Sequence, residues 1–243
     1  MHFFQFNSHI PLPAILALGG SPPLHRQLEL EELSYEPRSL LQRTKEFFVE
    51  KELRDVLQTS VQRQFVRGFL ALQNETYLAE TDLRVFMQLL DAFFFSGRFT
   101  GGKDPRVKLE FRGDIFEQWD AFKEGKRMTW TAGFARWLFK DVGASRVRIK
   151  VNIEVDASEP RLREGRLARR ALIQVLETLV HEMAHAHFIL FACQCLSCQG
   201  QIGASGHGAV WQELKQAMSA EIRSWDWSLR NFYMNDQDTL DYV

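Results

Sequence analysis

The sequence LIQVLETLVHEMAHAHFILF, residues 172 to 191, decides how the rest of this chain is interpreted. Its apolar residues recur at alternating steps of four and three, the spacing that keeps side chains on one buried stripe of a helix. They are Leu172, Leu176, Leu179, Met183, Ala186 and Leu190. The pattern predicts a core helix over this stretch.

Three polar side chains interrupt that apolar helix. His181 and His185 stand one turn apart, so their imidazoles can bind one tetrahedral zinc ion. Glu182 lies beside them, where its carboxylate can take the proton of a zinc-bound water as that water attacks a carbonyl. Solvated polar residues are the alternative, but polar groups inside an apolar helix cost free energy unless a metal or a network satisfies them. The motif therefore predicts a catalytic zinc site.

Two histidines leave such a site incomplete, and we look for a third ligand beyond the helix. The metzincin continuation is excluded, because Phe188 and Phe191 stand where it needs glycine and histidine. His207 lies between two glycines, which let the backbone approach a metal closely. Glu213 is the second candidate, and a solvated loop histidine is the remaining alternative. We favour His207.

The motif HEMAH, at residues 181 to 185, and the sequence GHGAVW, at residues 206 to 211, together resemble the SprT-like family of zinc metallopeptidases. Weaker similarities extend the resemblance over roughly residues 78 to 225. They cover the family's opening helix and aromatic turn at 83–99, its first strand at 107–111, its central strand motif at 127–133 and the strand VRIKVNIEV at 147–155.

The resemblance implies an α+β fold of the zincin (gluzincin-like) type, with a small mixed or antiparallel sheet packed on the active-site helix. It also implies one catalytic Zn²⁺ held by His181, His185 and His207, Glu182 as the catalytic acid and base, and a protein or peptide substrate. One branch of the family cleaves proteins covalently trapped on DNA, which adds DNA as an expected partner and DNA–protein crosslink repair as an expected role. This chain lacks the zinc-ribbon cysteines and long recruitment tail that many members carry.

Composition fits one catalytic domain with an extension. The chain has 243 residues, 45% hydrophobic and 25% charged, with a formal net charge of −1, which argues against a protein that coats nucleic acid along its whole surface. We divide it into an irregular proline-containing arm (1–36), a helical extension (37–77), the metallopeptidase domain (78–230) and an acidic, frayed tail (231–243).

Targeting signals are weak. The apolar run ILALGG follows no Lys or Arg, and no stretch of eighteen apolar residues occurs. We therefore expect an intracellular protein of the nucleus or cytoplasm, without a membrane partner.

Apolar residues at helical steps run from Pro37 to about Leu72 and predict one long helix or two shorter ones. They are Leu41, Phe48, Leu57, Val61, Phe65 and Phe69. These helices either cover the apolar surface of the catalytic domain or meet another protein, and covering is favoured because so many exposed phenylalanines would cause aggregation.

Strict alternation over residues 146 to 155 predicts a strand with one buried and one basic face. Zincins use a strand edge beside the active helix to hold an extended substrate by main-chain hydrogen bonds. RMTWTAG, residues 127 to 133, is a candidate for that strand or its neighbour, and plain sheet core is the alternative.

Five arginines crowd residues 161 to 170, just before the core helix. They are Arg161, Arg163, Arg166, Arg169 and Arg170. A solvated loop and first helical turn is one interpretation. The other joins them with Arg146, Arg148 and Lys150 in a patch that binds nucleic-acid phosphates.

All three cysteines, Cys193, Cys195 and Cys198, fall in a short loop after the core helix. Three alternatives stand: reduced thiols in a reducing compartment, a Cys195 and Cys198 redox pair, or a second zinc site with His187 as fourth ligand.

Helical spacing returns after His207. It places Trp211, Leu214, Met218 and Ile222 on an inward face, and Trp225 and Trp227 are expected to close the core.

Overall fold

The computed structural model describes residues 30–49, 56–74, 78–101, 104–112, 129–131, 133–142, 145–156, 158–163, 166–169, 171–203, 205–233 and 239–241. In chain order its helices are α1 (Pro37–Val49), α2 (Val56–Leu72), α3 (Glu80–Phe95), α4 (Leu172–Phe191), α5 (Leu196–Ile202) and α6 (Ala209–Arg223). Its strands are β1 (Val107–Arg112), β2 (Thr129–Thr131), β3 (Gly133–Val142), β4 (Ser145–Asp156), β5 (Ser158–Arg163), β6 (Arg166–Arg169) and β7 (Thr239–Asp241). A short 3₁₀ helix, Trp227–Leu229, follows α6.

Helix α4 forms where the apolar stripe predicts it, and every residue of that stripe is buried. At its start the Gln174 side chain accepts a hydrogen bond from the Ala171 N–H at 3.2 Å, a contact of the capping-box kind. At its end Ala192 turns into an extended conformation. Local sequence therefore sets both the length of α4 and the face that it buries.

A small mixed sheet packs on α4. Its strand order is β1-β4-β3, with β1 parallel and β3 antiparallel to β4, and α4 contacts both β3 and β4. The predicted buried face of β4 is present where side chains are described, because Val151, Ile153 and Val155 are fully buried. The α+β class is thus confirmed. Of the two sheet types expected, mixed or antiparallel, the structure has the mixed one.

The prediction of a central strand at 127–133 was wrong. Within that stretch Thr129–Thr131 forms β2, which pairs antiparallel with β7, and Gly133 begins β3 at one side of the sheet. The central position belongs to β4, which pairs with β1 along one edge and with β3 along the other. Because β7 forms from Thr239–Asp241, that part of the acidic tail is paired rather than frayed.

The amino-terminal helical pattern forms two helices, α1 and α2, which contribute to the same core as α4. Phe48, Phe65 and Phe69 are buried, and Phe65 meets Phe86 of α3 edge to face at 5.1 Å between centroids. The helices therefore cover apolar surface, which is the favoured alternative.

Part of the predicted irregular arm is ordered against α4. The Leu33 N–H donates to the Leu190 carbonyl at 2.9 Å, and the Tyr35 N–H donates to the Phe191 carbonyl at 3.1 Å. The Cys193 N–H donates to the Tyr35 carbonyl at 2.7 Å. Residues 1–29 of the arm lie outside the described residues. Among the helices that are described, none has the length and hydropathy needed to cross a bilayer.

Candidate metal centre

Three imidazoles converge on one point. The Nε2 atoms of His181, His185 and His207 lie 3.0 to 3.1 Å from one another. A tetrahedral zinc site with Zn–N bonds of about 2.05 Å separates its nitrogen ligands by about 3.3 Å, so the triangle is close to the size that such an ion requires. His181 is 3% exposed. The donor type, the spacing and the burial all fit a metal ligand set.

Two segments far apart in sequence build this triangle. His181 and His185 project from one face of α4, one turn apart. His207 comes from the loop between α5 and α6, where the Gly206 N–H donates to the Gly203 carbonyl at 3.0 Å and the Gly208 N–H donates to the Ile202 carbonyl at 2.5 Å. These bonds hold the backbone on both sides of His207.

The glycines that flank His207 are required by close contacts. Gly206 has φ of +81°, and a Cβ there would lie 3.1 Å from ring atoms of His185. A Cβ at Gly208 would lie 2.5 Å from the Gln201 carbonyl oxygen and 2.6 Å from that of Ile202. Any larger residue at Gly208 would collide with the end of α5 and displace the backbone next to His207.

Trp211 supports all three histidines. Its ring stacks on His185 with centroids 5.0 Å apart and meets His181 and His207 edge to face at 4.6 and 4.5 Å. Trp211 is fully buried. The helical spacing of α6 predicted its inward direction but not this role. The sequence feature that could have indicated this role is the position of Trp211, one helical turn after His207.

The two carboxylates singled out by the sequence lie in different surroundings. Glu182 follows His181 on α4 and is 2% exposed. Glu213 on α6 accepts hydrogen bonds from Lys45 at 2.7 Å and Arg38 at 3.3 Å, both on α1. The Lys45 hydrogen bond lowers the pKa of Glu213. Glu213 thus joins α6 to α1, and the imidazole triangle is made with His207 instead.

A cleft of about 390 Å³ opens beside the triangle. Its lining includes His185, Phe188 and Ile189 of α4 and Ala135 of β3. Residues at the end of α5 and in the His207 loop complete the lining. An imidazole of the cluster therefore borders a space that a ligand can enter.

Comparison with known proteins supports the motif pattern. The sequence profile of the SprT-like family matches residues 83–230, more than half of the chain. The chain belongs to the SprT-like family. No match was found among curated proteins or solved structures. All three converging histidines and Glu182 fall within the matched range.

The arginine-rich segment of this SprT-like chain folds as a hairpin. Arg161 and Arg163 lie on β5, Arg166 and Arg169 lie on β6, and Arg163 pairs directly with Arg166 across the antiparallel strands. The expected loop and helical turn were therefore wrong over the described residues, because strand pairing replaces them up to residue 169. Arg170 lies outside those residues.

The cysteines form a second cluster. The sulfur atoms of Cys193, Cys195 and Cys198 lie within 4.8 Å of one another, and none is in a disulfide. Part of the expected loop is helical, since Cys195 caps α5 and Cys198 lies on it.

His187, the possible fourth ligand of a second zinc site, does not lie with the cysteines. Its ring is fully buried against Phe95 and Phe191, and its Nε2 lies 2.9 Å from the Thr44 hydroxyl. That hydroxyl donates to the Leu40 carbonyl at 2.8 Å, so His187 Nε2 must donate to it. Burial lowers the pKa of His187 to about 3. His187 is thus a neutral core residue that faces the amino-terminal helices.

Proposed function

We propose that this SprT-like protein is a zinc-dependent metallopeptidase that hydrolyses peptide bonds. The observation that carries the proposal is the convergence of three imidazole Nε2 atoms at 3.0 to 3.1 Å, beside the buried carboxylate-bearing residue Glu182. Three histidine ligands beside a carboxylate are typical of catalytic zinc, because the fourth position stays open for water or substrate.

Nitrogen ligands favour transition metals, zinc among them, over the hard cations Mg²⁺ and Ca²⁺. Imidazole suits Zn²⁺ and poorly suits Mg²⁺ or Ca²⁺, which prefer oxygen. When bound by His181, His185 and His207, Zn²⁺ would acidify water and polarise a carbonyl.

Glu182 supplies the proton transfer in this proposal. The histidine triangle forms without it, yet it lies next to His181 on the same helix, where a base is needed. Its carboxylate accepts a proton from the attacking water as the new C–O bond forms. The same proton then passes to the amine nitrogen as the peptide C–N bond breaks.

The surroundings of the triangle suit an extended peptide. Strand β3 is at one side of the described sheet, and Ala135 on it lines the cleft together with His185. A peptide can add to such a strand by main-chain hydrogen bonds. Phe188 and Ile189 offer apolar contacts for its side chains. The substrate strand we infer is thus β3, which begins at the last residue of the RMTWTAG motif.

The test compares two Glu to Gln changes on α4. Glu182→Gln should retain zinc and lose cleavage of casein or of the protein itself, whereas Glu177→Gln, on the same helix, should cleave like the wild type. The rival function is a catalytically silent zinc domain that recognises nucleic acid or a protein partner. Equal hydrolysis by the wild type and Glu182→Gln would overturn the peptidase proposal in favour of that rival.

We further propose that the substrates are proteins associated with or crosslinked to DNA. The supporting observation is the β5-β6 hairpin, which concentrates arginines and pairs Arg163 directly with Arg166. Arginines concentrated in one short hairpin are the residue type that binds the phosphates of a nucleic acid.

Binding measured against salt tests the DNA part. If phosphates are the partners, log K should fall by about 0.7 to 0.9 per contacted phosphate for each unit of log salt. Arg163→Glu with Arg166→Glu should flatten that slope without changing zinc content. Arg223→Glu, at the exposed end of α6, is the matched control. Lack of wild-type binding to single-stranded and duplex DNA at low salt would remove DNA from the proposal and leave the peptidase chemistry untouched.

A further inference from the structure

We propose that Cys193, Cys195 and Cys198 form a second metal site, which binds a soft divalent ion such as Zn²⁺ and anchors the segment leading to His207. The site is separate from the histidine triangle, and the inference does not depend on peptidase activity.

The spacing of the sulfur atoms fits metal ligation. All three lie within 4.8 Å of one another, and a tetrahedral site with Zn–S bonds of about 2.3 Å places its sulfurs about 3.8 Å apart. The sulfur atoms therefore lie within about 1 Å of the separation that such an ion requires. Thiolates favour Zn²⁺ over the hard cations that oxygen ligands bind.

The backbone fixes each cysteine by a different contact. The Cys193 N–H is bound to the Tyr35 carbonyl at 2.7 Å, in the strand-like pairing of residues 33–35 with the end of α4. The Cys195 carbonyl accepts the Gln199 N–H at 2.9 Å, which starts α5. The Cys198 N–H donates to the sulfur of Cys195. The three thiols are therefore brought together by main-chain contacts that do not need the ion.

The closeness of the three sulfur atoms favours a cation. Three thiolates held within 4.8 Å of one another would repel, and a divalent ion bound between them would compensate their negative charge. Binding through three thiolates would release the protons of the three thiols.

A disulfide accounts for the cluster less well. Any disulfide uses two cysteines and leaves the third thiol beside it, whereas a metal uses all three. The redox-pair alternative joins Cys195 to Cys198 and gives no role to Cys193. Cys195 is exposed, so water can take the fourth coordination position.

Metal binding to the cysteines would also affect the segment that follows them, which leads to His207. Helix α5 ends at Ile202, whose carbonyl holds the Gly208 N–H next to His207. Gln199 and Ile202 also line the cleft. An ion on the cysteines would fix the start of α5, and so limit movement of the cleft wall and of the third histidine.

Metal stoichiometry on the full reduced chain tests the proposal. The wild type should bind about two zinc ions, and His181→Ala and Cys195→Ser should each bind about one. With Co²⁺ in place of zinc, the thiolate-to-cobalt charge-transfer absorption should appear in the wild type and in His181→Ala, and disappear in Cys195→Ser. Ser197→Ala, in the same segment, is the matched control and should behave like the wild type.

Two outcomes would overturn the inference. One is a wild type that binds a single ion and shows no thiolate-to-cobalt absorption. The other needs no variant that might unfold: the three thiols of the wild type react with a thiol reagent equally fast with and without zinc. Survival of the cobalt signal in His181→Ala, which should have lost hydrolysis, separates this test from that of the peptidase.

Discussion

The histidine cluster and the cysteine cluster each bring together three side chains that could hold a metal ion, but the two clusters are supported differently. The histidines rest on fully buried Trp211, and two of them project from a core helix. The cysteines occupy a surface segment in which Leu196 is 88% exposed. Core packing thus positions the first cluster, whereas local hydrogen bonds position the second.

This difference predicts two kinds of metal dependence. A site held by a packed core keeps its geometry without the ion, so binding adds little order. A site held by a few surface hydrogen bonds gains order when metal binds, because part of the binding free energy is folding free energy. Substitutions near each cluster separate these two cases.

Trp211→Ala should have the largest effect, because it removes a fully buried ring from beneath the histidines. We expect the free energy of unfolding to fall by about 3–5 kcal/mol in metal-free protein, measured by chemical denaturation with a chelator. Trp227→Ala is the control. The expectation that Trp227 closes the core was wrong, because that ring is 75% exposed, and its loss should cost less than about 1 kcal/mol. Similar losses in both variants would contradict core support of the histidine cluster.

The buried carboxyl group of Asp91 makes the free energy of unfolding depend on pH, independently of either cluster. Burial raises the pKa of Asp91 to about 6, although its carboxylate accepts hydrogen bonds from the Phe99 and Thr100 N–H groups at 3.1 and 2.7 Å. The usual unfolded value is about 3.9. Between pH 4 and 6 the folded state therefore holds a proton that the unfolded state releases, so the contribution of Asp91 to stability decreases as pH rises.

Denaturation of the wild type and Asp91→Asn from pH 4 to 7 measures this effect. The difference in their free energies of unfolding should decrease by up to roughly 3 kcal/mol through that window and stay constant above pH 6. Asp226→Asn is the control. A hydrogen bond from the Ser228 N–H lowers the pKa of Asp226, so the contribution of Asp226 to stability should change with pH in the opposite direction. A wild-type stability that rises relative to Asp91→Asn between pH 4 and 6 would show that the anion is the favoured form of Asp91.

Gly208→Ala and Gly200→Ala compare the backbone near the two clusters. A Cβ at Gly208 would collide with the Ile202 carbonyl oxygen at 2.6 Å, whereas one at Gly200 meets nothing within 4 Å. We expect Gly208→Ala to weaken zinc binding to the histidines at least tenfold, about 1.4 kcal/mol, in a competition assay with a chelating dye. Gly200→Ala should leave that affinity unchanged and stabilise α5 by about 0.5–1 kcal/mol. Equal affinities in both variants would show that the His207 loop adapts.

Glu213→Ala should have the smallest effect. Its ion pairs with Lys45 and Arg38 are partly exposed, so their loss should cost about 0.2–1 kcal/mol of stability. Zinc content should remain that of the wild type, whereas His207→Ala should lower it as severely as His181→Ala. Metal analysis of the purified variants decides whether His207 or Glu213 is the third ligand. Loss of zinc in Glu213→Ala but not in His207→Ala would favour Glu213.

The sequence by itself determined the elements whose evidence is local. The apolar stripe of residues 172 to 190 fixed both α4 and its buried face, and the histidine spacing within it placed two imidazoles one turn apart. The inward face of α6, with Trp211, Leu214 and Met218, followed from the same periodicity. Local periodicity suffices here because each residue's direction is set by its own helix.

Only the tertiary structure decided which distant groups meet. It paired Glu213 with α1, turned His187 into the phenylalanine core instead of toward the cysteines, and placed β4 rather than the RMTWTAG motif at the centre of the sheet. It also paired Arg163 with Arg166 in a hairpin where the sequence allowed a helical turn. Strand order and side-chain partners depend on which surfaces remain uncovered once every element has packed, and no short stretch of sequence carries that information.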